Sequence, residues 1–298
     1  MSFDIDDYKR RTGRLVWDDL DLRGAFAARP LDDDTLRCIQ YMHDVEFHTV
    51  CYLRDLLLTP AHNDPTITAF LSFWVFEEFW HGEALADVLA SHGRSSGAER
   101  VAAMRHTLGF RNKVAPLATS AISACIGTDF TGVHMTWGAV NEWSTQAGYS
   151  QLSTRAGHPT LSALLQRIMR QEGRHIDFYA SEAQARLAAS PRARKLTRLA
   201  LRRFWHPVGA GVMPAEETTF VIAHLLGGDE GRAMAQRIDR RVDRLPGLEG
   251  LRLVEGAVED ALTPPRAGRR GRRGTVPQPA AAPLARVSAA PTGHRVAA

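Results

Sequence analysis

The sequence predicts an all-α protein built on a four-helix bundle, with additional helices C-terminal to it. Helix start and stop signals recur along most of the 298 residues. Long alternating strand patterns are absent. Four long helices are predicted, at about 33–58, 65–92, 129–156 and 159–188, and a bundle accommodates such a set.

The boundaries follow from capping chemistry. Asp64-Pro65 places a capping side chain ahead of proline at the first helical position, and Ser190-Pro191 repeats the pattern. His92-Gly93 and Ala156-Gly157 read as C-terminal stops. Shorter helices are predicted at about 97–112, 114–126, 191–204, 215–226 and 229–243, and mostly helical sequence continues to about residue 260. Residues 1–260 are therefore expected to form one domain, with the bundle core at about 33–188.

Composition narrows the class. Hydrophobic residues are 44% and charged residues 23%, the balance of a globular protein. The longest apolar runs, Ile67–Phe76 and Val114–Gly127, are short for a bilayer span, and the N-terminus MSFDIDDYKR lacks the apolar stretch of a secretory signal. Neither a membrane segment nor secretion is expected. The three cysteines, Cys38, Cys51 and Cys125, are sparse and unclustered, which fits a reducing cytoplasm better than a disulfide framework.

The net charge of +4 belongs to the tail. Seven of the 37 basic residues lie beyond Pro264 with no acid among them, so the rest sets 30 basic residues against 33 acidic ones. Residues 261–298 are rich in Arg, Pro and Ala and are expected to be disordered. Gly268–Gly274 reads GRRGRRG; a solubilising tail is the preferred reading over nucleic-acid contact.

Two segments carry Glu-x-x-His: Glu78/His81 within FWVFEEFWHGEAL and Glu172/His175 within IMRQEGRHIDFY. Residues three apart on a helix share a side, so each pair can grip one metal ion. Their faces are otherwise apolar: Leu71, Trp74, Val75, Leu85 and Leu89 in the first, Leu165, Ile168, Met169, Ile176 and Tyr179 in the second. Ionised carboxylates among such residues are costly unless paired or metal-bound.

A two-metal bundle needs one further Glu from each remaining helix. Glu46 shares its face with Ile39, Met42, Val50, Leu53 and Leu57, whereas its rivals Asp44 and His48 face polar neighbours. Glu142 is the one acid in its helix after Asp129. Glu46 precedes Glu78 by 32 residues and Glu142 precedes Glu172 by 30, so the chain reads as two hairpins of one plan. Four carboxylates and two imidazoles could bind two divalent ions, whose charge the four carboxylates neutralise. This donor set suits two iron ions, with manganese as the alternative. Glu77, four residues before His81, is the remaining ambiguity. The fold expected around such a site is ferritin-like.

Here the chain resembles the soluble acyl-acyl-carrier-protein desaturases over about residues 33–205. FEEFWHGEALADVLASHG is similar to their first motif, and NEWSTQAGYSQL followed by QEGRHIDFY to their second half. The resemblance implies a non-haem diiron, O2-dependent oxidoreductase that oxidises or desaturates an acyl chain. It implies electrons from a ferredoxin-type reductant, delivery by an acyl carrier protein, and Thr145 as a proton-delivering hydroxyl near the metals. A homodimer stays open. Gln171 stands where the family usually has an acid. The alternatives are a diiron N-oxygenase or hydroxylase of secondary metabolism, which an extra histidine near Glu172 would favour, and a ferritin-like iron-oxidising protein, which the long C-terminal extension disfavours.

Gly138, Ala139, Ala147 and Gly148 put small residues near Glu142, leaving room for a chain or for close helix packing. Arg194, Arg198 and Arg202 fall four apart on a predicted helix, with Leu196, Leu199 and Ala200 as its apolar side. That stripe is a candidate dock for an acidic carrier protein. Removing residues 264–298 should leave folding and metal binding intact; a large drop in Tm on truncation would show that the tail belongs to the domain.

Overall fold

The computed structural model describes residues 3–107 and 111–263. Of the predicted disordered tail, 261–298, residues 264–298 lie outside the described residues, while Ala261 and Leu262 still belong to the last helix. Among the described residues the fold is all-α, with no strand. The helices are α1 (Ile5–Arg11), α2 (Leu22–Ala28), α3 (Asp33–Leu57), α4 (Pro65–Ala90), α5 (Gly97–Thr107), α6 (Arg111–Ile126), α7 (Asp129–Ala156), α8 (Pro159–Ala189), α9 (Pro191–Phe204), α10 (Ala215–Leu226), α11 (Asp229–Asp243) and α12 (Leu253–Leu262). A single 3-10 turn, Pro60–Asn63, joins α3 to α4. Among the described residues no helix is long and apolar enough to cross a membrane.

The four long helices form two hairpins. α3 packs along α4 and α7 along α8; α4 also meets α8, and α3 meets α7. The caps that define them match the sequence signals. Asp64 accepts from the amides of Thr66 and Ile67 at 3.0 and 3.2 Å, with Pro65 first in α4. Gly157 ends α7 in the left-handed region at φ 55°, a conformation that costs glycine nothing. The Ser190 side chain accepts from the amide of Ala193 at 3.1 Å and starts α9.

Several details depart from the sequence reading. α1 and α2 precede the first predicted helix, and α1 packs on α4, burying Tyr8. On α3 the apolar stripe is buried at Ile39 and Met42, but Val50 and Leu57 stand exposed. Asp44 is buried despite its polar face, because Arg100 of α5 chelates it at 2.6–3.1 Å and His43 bonds it at 2.9 Å. On α9 the buried face is Ala193, Thr197 and Leu201, while Leu199 is exposed. The stripe is also partly spent: Arg198 donates to the carbonyls of Gly247 and Glu249 at 3.2 and 2.9 Å.

The small residues of α7 divide between two roles. A Cβ at Gly138 would stand 2.4 Å from ring carbons of Tyr179, which is fully buried on α8. Gly138 therefore exists for close packing. A Cβ at Gly148 would meet only the terminal methyl of Met42 at 3.2 Å and Leu225 at 3.9 Å. Gly138→Ala should destabilise the fold by about 1–3 kcal/mol through overpacking, outweighing the helix-propensity gain of about 1 kcal/mol. Gly148→Ala should be near neutral. Thermal melts of the two variants check this: equal Tm values would refute the packing role of Gly138.

Candidate metal centre

Each long helix contributes to one buried cluster. α3 supplies Glu46, α4 Glu78 and His81, α7 Glu142, and α8 Glu172 and His175. None of the six is more than 6% exposed. Their ligand atoms form two groups: Glu46, Glu78, His81 and Glu172 in one, Glu78, Glu142, Glu172 and His175 in the other. Within each group the atoms lie within 4.8 Å of one another. Glu78 and Glu172 belong to both groups, as carboxylates bridging two ions would. All six ligand positions read from the sequence thus converge, and no third histidine joins either group among the described residues.

The i, i+3 spacing acts as the helix geometry requires. His81 Nδ1 lies 3.4 Å from Glu78, and His175 Nδ1 lies 3.2 Å from Glu172. Across the bundle, His81 Nδ1 is 3.5 Å from Glu172 and His175 Nδ1 is 3.1 Å from Glu78. Both imidazoles point Nδ1 inward, which makes it the ligand atom. Each Nε2 points outward to a fixed partner: Gln171 Oε1 at 2.9 Å for His81, and Glu77 Oε2 at 2.8 Å for His175.

These contacts settle the ambiguity at Glu77. Glu78 faces the cluster. Glu77 turns to the opposite hairpin and binds His175 rather than His81. Glu77 is itself held by the Tyr8 hydroxyl at 3.0 Å, by Arg174 and by the Gln171 amide at 3.3 Å. Gln171 occupies the equivalent place on α8, one residue before Glu172.

Two more contacts fix the terminal carboxylates. The Tyr149 hydroxyl donates to Glu46, and the Trp74 indole N–H donates to Glu142 at 3.0 Å. Both side chains carry a signal in the sequence, since they share the ligands' helix faces; there they read only as apolar lining. Tyr8 carries no such signal, because its approach depends on how α1 docks. Thr145 is half-buried and lines an apolar cavity together with Glu46, Met42, Gly148 and Val221.

The electrostatics are those of a site built for cations. Burial, then the neighbouring charges of Glu78 and Glu172, pushes Glu46 well above the usual carboxylate range. Burial and the same two neighbours do this to Glu142. Burial also opposes ionisation of Glu78, but the polar groups of Glu46, His175 and His81 close beside it outweigh burial and hold Glu78 well below that range. Glu172 is lowered in the same way, by His175 and His81 against burial and the Glu78 charge. Against burial, Glu172 and Glu78 push His81 up to about 9, and His175 rises well above its ordinary value.

Protons on Glu46, Glu142, His81 and His175 thus balance the metal-free cluster. Two divalent ions carry the same charge as those four protons. The residues present therefore fit metal ions. The buried atoms His81 Nδ1 and Glu172 Oε1 have no hydrogen-bond partner, and both face the cluster. A bound cation would satisfy both. No protein-family model, curated protein or solved structure matches the chain.

Metal binding should release about four protons per two ions at the limit, so affinity must fall as pH falls. The sign for stability follows. A group with a raised pKa, such as His81, stabilises the metal-free fold fully below 6.5, and that contribution is lost as pH rises through about 9. Glu78 and Glu172, with lowered pKa values, stay ionised throughout that window and add a constant. The Tm gap between metal-loaded and metal-free protein should widen between pH 6.5 and 9. A gap that is flat or shrinks across that window would contradict the proton-for-metal exchange.

Proposed function

We propose that this protein is a non-haem diiron, O2-dependent oxidoreductase that oxidises or desaturates an acyl chain, with manganese as the alternative metal. The observation that carries the reading is the pair of four-residue ligand groups sharing Glu78 and Glu172. Two irons bound there would supply the redox chemistry with O2. Glu46, Glu78, His81, Glu142, Glu172 and His175 would hold them. Neutral donors from Tyr149 and Trp74 keep the terminal carboxylates in place.

The apolar cavity supports a hydrocarbon substrate. It runs from Glu46 and Thr145, past Met42 and Gly148, to Leu225 of α10 and Val258 of α12. The C-terminal helices therefore build a wall that a bare four-helix bundle lacks. An apolar chain seated there would lie beside the candidate ligand Glu46, and the half-buried Thr145, on the same cavity wall, would serve as the proton donor. Desaturation balances when O2 accepts two electrons from the chain and two from an external ferredoxin-type reductant, releasing two waters.

A carrier protein would deliver the chain. Arg198 is committed to backbone carbonyls, but Lys195, Arg202 and Arg203 remain exposed on α9 and leave a basic face for an acidic partner.

The test is anaerobic reconstitution with Fe(II), then O2, with acyl carrier proteins and reduced ferredoxin, and products read by mass spectrometry. The expected product is two hydrogens lighter or one oxygen heavier. Thr145→Val should keep full iron while slowing turnover. Lys195→Glu/Arg202→Glu should keep iron and weaken carrier binding, and wild-type binding should fall as salt rises. Fully iron-loaded protein that leaves every acyl substrate unchanged would sink the reading.

A further inference from the structure

The two ligand groups are alike in their inner residues and unlike in one outer partner. Each has one terminal glutamate held by a neutral donor, one histidine, and a share of Glu78 and Glu172. The His175 imidazole donates outward to a carboxylate, Glu77, at 2.8 Å. The His81 imidazole donates to an amide oxygen, Gln171, at 2.9 Å. The pseudo-symmetry of the hairpins is therefore broken by one formal charge.

That charge is well placed to matter. Glu77 is fully buried, and three donors fix it: Tyr8, Arg174 and Gln171. Arg174, whose side chain is 29% exposed, binds the other oxygen, Oε1, and water only partly screens its charge. The oxygen facing His175, Oε2, also accepts from the Tyr8 hydroxyl at 3.0 Å, a neutral donor that leaves the carboxylate's charge in place. A carboxylate on the outer nitrogen makes a metal-binding imidazole a stronger donor, and losing such a partner costs about 10–100-fold in affinity. An amide acceptor orients the ring without adding charge.

We infer that the two metal positions are unequal and fill in order, first the group of Glu78, Glu142, Glu172 and His175, then the group that adds Glu46 and His81. The inference rests on the dimetal reading of the site. At limiting metal the protein holds a single ion beside His175. Glu77 acts as a positioning residue that sets this order, with Tyr8 and Arg174 keeping it in place.

The experiment is an anaerobic titration of metal-free protein with Mn(II), followed by electron paramagnetic resonance. An isolated ion and an exchange-coupled pair give different signals. Wild-type protein should show the isolated-ion signal at one equivalent and the coupled signal only at two. Repulsion between ions also separates two steps, so the variants decide the cause. Glu77→Gln should weaken the first step by about 10–100-fold and leave the second nearly unchanged, so the steps merge. His81→Ala should keep the tight first step, and His175→Ala should lose it. A coupled signal at one equivalent, an unaltered first step in Glu77→Gln, or a first step lost in His81→Ala and kept in His175→Ala would overturn the ordering. Protein that saturates at fewer than two ions would instead overturn the dimetal reading.

Discussion

Four carboxylates and two imidazoles buried at the centre of one helical bundle dominate the energetics of this fold. Burying an ionised group costs several kcal/mol even after relaxation. The cost is tolerable only if charges cancel within the cluster. In the metal-free protein, protons on Glu46, Glu142, His81 and His175 balance Glu78 and Glu172. Bound divalent ions would perform the same task without forcing carboxylates out of ionisation. Each of α3, α4, α7 and α8 brings its candidate ligands to this one point. Close packing then follows, as where Gly138 admits the Tyr179 ring beside the site.

Around that centre the protein divides its labour between two sides of the bundle. On the α4/α8 side, a hydrogen-bond layer runs from Tyr8 and Arg174 through Glu77 to His175, and from Gln171 to His81. This layer orients imidazoles and sets their donor strength. On the α3/α7 side the surroundings turn apolar, and α10 and α12 enclose a cavity that reaches Glu46 and Thr145. The short helices outside the bundle are thus parts of the site's environment: α1 buttresses one side and the C-terminal helices shape the other.

The candidate ligands were legible in the sequence because helix geometry is local. Two Glu-x-x-His segments, two lone glutamates on apolar faces and matched spacings of 32 and 30 residues leave few other arrangements. Polar residues on an apolar helix face stand out whatever the partner helix is. The same logic failed at Asp44, which reads as exposed because its own helix face is polar. Its burial depends on Arg100, 56 residues away and on another helix. It failed again on α9, where a helix with apolar residues on more than one face offers several burial solutions, and neighbouring α7 and α8 selected Ala193, Thr197 and Leu201.

By itself the sequence determined the helix content, the caps at Asp64, Gly157 and Ser190, and the six-residue constellation, since each cap and each candidate ligand's helix face is set by residues within a turn or two, and the spacings of 32 and 30 pair the helices. Only the tertiary structure decided what each ligand touches next. That Glu77 crosses to His175, that Gln171 serves His81, that Tyr8 reaches the site from α1 and that α10 and α12 wall a cavity beside Glu46 are facts about helix docking. Docking is set by the summed packing of the whole domain, so no stretch of sequence encodes it alone.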